Sequence, residues 1–157
     1  MRALFSVFPL LVIPVAIYMV LALTAGGTDI TTLDPVTGER MVAPLAERLN
    51  SGLLTLDMIS GVEWQLTNGD MLILLALAFL FLEILKSTST GTATIMNHAI
   101  SMILFIACLI MFLLLPNYAT STFFILTIMT LLDVLAGVVV TIVSARRDFA
   151  VGEGFSG

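Results

Sequence analysis

What most restricts this chain is the recurrence of long apolar stretches: four of them, at 4–25, 71–86, 98–115 and 122–144, occupy about half of its 157 residues. A helix crossing a hydrocarbon core of about 30 Å needs ~20 mostly apolar residues. The first and fourth stretches meet that length outright. The second and third meet it by drawing in polar ends, with Gly69-Asp70 at one end of the second and a snorkelling Lys86 at the other. Too little chain remains to build a soluble core. Composition agrees, since 59% hydrophobic and 11% charged residues lie far from the roughly 45–50% and 25% of a soluble domain. The expected fold is an all-α membrane protein, a single domain of four transmembrane helices in an antiparallel bundle.

The first stretch has a second reading as a signal peptide, because Arg2, an apolar run and Ala25-Gly26-Gly27 follow in order. Its apolar length exceeds a typical signal core, and Leu23 is a poor residue at the third position before a cut, so an anchor is the expectation. With four alternating helices, Arg2, Lys86, Arg146 and Arg147 fall on one side, which the positive-inside rule assigns to the cytoplasm. Both termini then face inward, with a tail at 145–157. A long acidic loop at 26–70 faces out, and the short connections at 87–97 and 116–121 make their helices antiparallel neighbours.

Within the outer loop, Asp34-Pro35 and Gly38 suit a turn or small hairpin. Beyond them Leu45, Leu49, Leu53, Leu56 and Ile59 recur at helical spacing, and Pro44 suits a first turn. The spacing predicts an amphipathic helix along the membrane surface, capping the bundle or docking a partner, with Trp64 as an interfacial anchor.

Asp133 sits at the midpoint of the fourth stretch. An Asp at a helix centre costs roughly 2.5–3.5 kcal/mol to insert, so it should face the protein interior, either as a protonated hydrogen-bonder or as a proton- or ion-binding carboxylate. Thr130, Gly137, Thr141 and Ser144 follow at steps of three, four and seven around it, a small and polar face suited to helix packing. Glu83 and Lys86 share a helical face, and His98 begins the helix returning from the same side. They form either an interfacial pair with a hydrated histidine or a membrane-buried ion pair with His98 beside it.

Other chemistry finds little purchase. One histidine with one nearby carboxylate is too few for a structural metal. The single Cys108 excludes an intrachain disulfide and a Cys-x-x-Cys site. Nucleotide-binding, hydrolase and zinc-protease motifs are missing from the sequence. A net charge of −5, with no basic patch beyond Arg146-Arg147, does not suit a nucleic-acid binder. No enzyme activity, cofactor or metal is expected.

The segment FLEILKSTSTGTATIMNHAI, with the mid-membrane Asp133 and the basic end that follow it, resembles a group of small uncharacterised bacterial inner-membrane proteins. The likeness covers residues 63–148 and is carried by Asn97-His98 and Leu132-Asp133. It implies a multi-pass protein of the bacterial inner membrane and no particular activity. The expected role is a non-enzymatic accessory or assembly subunit, packed in the lipid bilayer against other membrane subunits or copies of itself. The alternative is a small proton- or ion-coupled transporter or channel subunit using Asp133 with Glu83 or His98. Orientation is directly testable: a cysteine at Thr37 should react with an impermeant reagent from outside intact cells, and one at Thr90 only after permeabilisation. The reverse pattern would invert the topology.

Overall fold

The computed structural model describes residues 8–25, 44–87 and 92–153. Its elements, in order, are α1 (Val12–Thr24), α2 (Pro44–Asn50), β1 (Gly52–Asp57), β2 (Glu63–Thr67), α3 (Asn68–Ser87), α4 (Thr92–Leu114), a 3-10 helix (Pro116–Tyr118) and α5 (Ser121–Glu153). Three helices, α3, α4 and α5, are long and apolar enough to cross a membrane. The apolar run of α1 is described from residue 8 onward, and its 13-residue helix extends about 20 Å. The expected turn at Asp34-Pro35 and Gly38 lies outside the described residues.

The distribution of side chains departs from that of a water-soluble protein: a buried apolar core that includes Leu11, Leu72 and Phe123 is joined by buried polar groups and surrounded by exposed apolar ones. Glu83, Asn97, Ser101, Thr127, Thr130 and Asp133 are buried, while Leu77, Phe81, Ile103, Leu113 and Val139 are exposed along the helices. An apolar surface so extensive is incompatible with water and suits hydrocarbon. The last helix is the hub. α5 packs along both α3 and α4, and α1 rests on α3 and α5. Although joined by a short connection, α3 and α4 share little backbone proximity; they meet through side chains at the Lys86 end.

The opposite end is held by α1. Tyr18, without exposed surface, donates its hydroxyl hydrogen to the Asn117 carbonyl at 2.9 Å and lies 2.6 Å from Thr120 Oγ1. Its ring packs on Tyr118 and Phe123, with centroids 5.6 and 4.7 Å apart. In α2, Leu45 and Leu49 are buried, and Arg48 donates to the Thr24 carbonyl at 3.3 Å, capping the end of α1.

The amphipathic surface helix expected through Leu53 and Leu56 is corrected by the structure. Helix α2 stops at Asn50, and Leu53 and Leu56 lie in an antiparallel hairpin of β1 and β2, exposed. The reason is local: Gly61 adopts φ 81°, and its N–H donates to the Met58 carbonyl at 2.8 Å while the Met58 N–H reaches Val62 at 3.0 Å. A three-residue hairpin loop ending in a left-handed glycine closes two strands and is incompatible with a continuing helix. β2 then runs straight into α3 through a reciprocal cap. Asp70 Oδ2 accepts from the Thr67 N–H at 3.0 Å, and the Asp70 N–H donates to Thr67 Oγ1 at 3.1 Å.

Replacing Tyr18 separates ring from hydroxyl. Tyr18→Phe should lower stability by about 0.6 and at most ~2 kcal/mol, and Tyr18→Ala by about 3–5 kcal/mol, read as melting temperatures in detergent. Equal losses would place the whole effect in the hydroxyl.

Candidate functional site

Two polar groups meet inside the Lys86 end of the bundle, and they differ in how well their bonds are made. The first is centred on Glu83, whose side chain has no exposed surface, beside Lys86, whose side chain is 22% exposed. Lys86 Nζ lies 2.9 Å from Glu83 Oε1 and donates to Oε2 at 3.1 Å, to the Phe8 carbonyl at 2.8 Å and to Asn97 Oδ1 at 3.1 Å. Asn97 Nδ2 donates to Glu83 Oε1, and the Leu10 N–H donates to Oε2 at 2.8 Å. Leu10 lies in the turn that starts α1, where backbone N–H groups have no partner within the helix. A carboxylate there satisfies a donor and complements the helix dipole. The ammonium has acceptors for all three of its hydrogens, and both ends of the Asn97 amide are used.

The second group lies deeper. Asp133 stands at the centre of the apolar window of α5 and is 1% exposed. Neither of its carboxylate oxygens makes a hydrogen bond, nor do Ser101 Oγ or the two imidazole nitrogens of His98, although all five atoms are buried. Ser101 of α4 stands beside the carboxyl without closing a hydrogen bond to it, and the charged groups of Glu83 and Lys86 lie within electrostatic range. Gly137, one turn along α5, makes this approach possible. A Cβ there would fall on the His98 ring, so only glycine lets α4 bring the imidazole against α5.

Each expected site residue now has a place. Glu83 is buried within the protein and Lys86 beside it is partly exposed, so the pair joins the interior to the surface at that end of the bundle. Both ring nitrogens of His98 are buried, and its ring lies against Gly137, one turn from Asp133 on α5. Of the small face on α5, Thr130 and Gly137 are buried, and Thr141 lies toward the surface with its hydroxyl on the Gly137 carbonyl at 2.9 Å. The side chain of Ser144 lies outside the described residues. Leu45 and Leu49 pack inward from α2, whereas Leu53 and Leu56 belong to the hairpin.

Sequence reasoning missed Asn97, Ser101 and the Leu10 N–H. The signal for the first two was available, because Asn97 and Ser101 are four apart and share a helical face. It was hidden by starting the third stretch at 98, whereas α4 begins at Thr92. His98 therefore lies nearly two turns inside the helix. Among the described residues, no three His, Cys, Asp or Glu side chains converge as metal ligands.

Truncating one member of the pair should be worse than truncating both. Lys86→Met leaves Glu83 buried and uncompensated, which should cost about 3–5 kcal/mol. The double variant Glu83→Gln/Lys86→Met should recover most of that, measured by thermal unfolding in detergent. A double variant less stable than Lys86→Met would show that the net charge pair is itself stabilising.

No protein-family model matches this sequence, and neither a curated protein nor a solved structure matches it significantly.

Proposed function

We propose that this chain is a non-enzymatic subunit of the bacterial inner membrane that takes up a proton, or a small cation, at Asp133 from the side on which Lys86 lies. The observation that supports this most is the set of unsatisfied atoms around that carboxyl, at the depth where leaving them so is most costly. A carboxylate ionised there has no bonded counter-charge. Protonation removes the charge, and His98 stands by as a second group able to exchange a proton. On α4, Ser101 lies one turn from Asn97, which is bonded to Lys86, the partly exposed member of the Glu83 network.

Toward the other end, the described hydroxyls of α5 next to Asp133 are engaged. Thr127 and Thr130 already donate to the Phe123 and Thr127 carbonyls, at 2.9 and 2.7 Å, and Phe123, Leu126 and Met129 fill the space beside them. A carboxyl reached from one side cannot pass ions across the bilayer alone. This asymmetry fits a subunit that works within a larger membrane assembly, by responding to protons or by completing a path with a partner. Under the positive-inside reading, the accessible side is the cytoplasm.

A second reading, a static protonated Asp133 holding α4 to α5, is favoured by the apposition of Ser101. The two readings part on one substitution. Asparagine keeps a donor and an acceptor but cannot ionise. In vesicles reconstituted with the protein, the infrared carboxyl band of a buried acid should appear and vanish with pH in the wild type and be lost in Asp133→Asn, at unchanged melting temperature. A wild-type band that persists across the whole accessible pH range would leave only the static role.

A further inference from the structure

The hairpin between α2 and α3 has a face that nothing in the described structure covers. Register puts Leu54 opposite Leu66 and Leu56 opposite Trp64, and directly opposed residues share a face. One side is therefore Leu54, Leu56, Trp64 and Leu66, continued by Met58 and Val62 at the loop. The other side carries Thr55 opposite Gln65 and Asp57 opposite Glu63. Every residue of β1 is exposed, and Ile59 at the tip is entirely so. A two-stranded hairpin is marginal in water without a surface to lie on.

We propose that this face lies in the headgroup boundary of the lipid leaflet at the start of α3, as an in-plane amphipathic β-hairpin. The chain itself supplies the continuity. β2 passes into α3 without an intervening residue, through the cap between Thr67 and Asp70, so the base of the hairpin sits where the apolar span begins. The adjoining surface of α3 exposes Met71, Leu74 and Leu75, which meet hydrocarbon. Lying flat, the hairpin sets its leucines and indole on that same boundary and turns Asp57 and Glu63 to water. Standing upright, it would lift Trp64 about 13 Å beyond the start of α3, past a headgroup layer of roughly 5–8 Å, with its apolar face in water.

Trp64 is the only tryptophan in the chain, so its fluorescence reports this face without labelling. The full-length protein is reconstituted in phosphatidylcholine vesicles, with and without lipids brominated near the headgroup end of their acyl chains. The expected result is strong quenching by the brominated lipid and acrylamide quenching several-fold weaker than for a free indole. Leu56→Glu, which charges the same face, should reverse both effects, and Thr55→Glu on the opposite face should leave both unchanged. Trp64 open to acrylamide and untouched by bromine would overturn the proposal in favour of an upright hairpin. Shielding from both quenchers would overturn it too, because the face would then be covered by protein. Equal effects of Leu56→Glu and Thr55→Glu would deny that the face matters.

Discussion

A carboxylate without exposed surface inside an apolar helix is tolerable only if its oxygens find donors, and Glu83 meets that condition by drawing on its own helix and two other segments. Its partners come from α3 itself, from α4 and from the turn before α1. The requirement to satisfy one side chain thus sets the relative position of three helices at one end of the bundle. Desolvating such a pair offsets much of its Coulomb attraction, so its net effect on stability is modest. Its effect on arrangement is large, because any other docking of α1 would leave Glu83 short of a donor and the Leu10 N–H without an acceptor. Apolar packing alone could not impose this, since lipid competes equally for apolar surface.

Against this satisfied network the neighbouring Asp133 stands out. Both groups lie within the same bundle, yet one has its bonds made and the other has five buried polar atoms without any. Structural roles favour completed networks, whereas groups that exchange protons need bonding capacity in reserve. Gly137 belongs to the second group, as it lets His98 lie against α5. The hub position of α5 follows from its thin, small-residue side being turned to two partners at once.

Much of this was legible in the sequence, and the failures have physical causes. The lengths of apolar runs predict four spans, and three of them are membrane-length helices among the described residues, because hydrocarbon thickness imposes a length no other environment demands. The inward placement of Asp133 was legible for the same reason, as lipid rejects it. The hairpin was not, because Leu45, Leu49 and Leu53 fit a helical period while Leu54, Leu56, Trp64 and Leu66 fit a strand period, and one leucine-rich segment carries both. Ser60-Gly61 was the deciding signal, a turn dipeptide between two alternating runs. The Leu10 contact was beyond reach, since a backbone N–H has no signature in a sequence. Asn97 was lost by reading the polar run before it as loop, although threonine and methionine are tolerated in a helix that tertiary contacts support.

Two of the ties that hold α1 join residues far apart in the chain: Leu10 and Glu83 are separated by 73 positions, and Tyr18 and Asn117 by 99. Translation proceeds at about 5–20 residues per second. Helix α1, made before the others described, therefore waits on the order of 5–20 s before the partner of Tyr18 has been synthesised. Through that interval its hydroxyl and its leading N–H groups must be accommodated by lipid headgroups, water or the insertion machinery. Helix α1 can complete its docking only after the segments that carry Glu83 and Asn117 have been made.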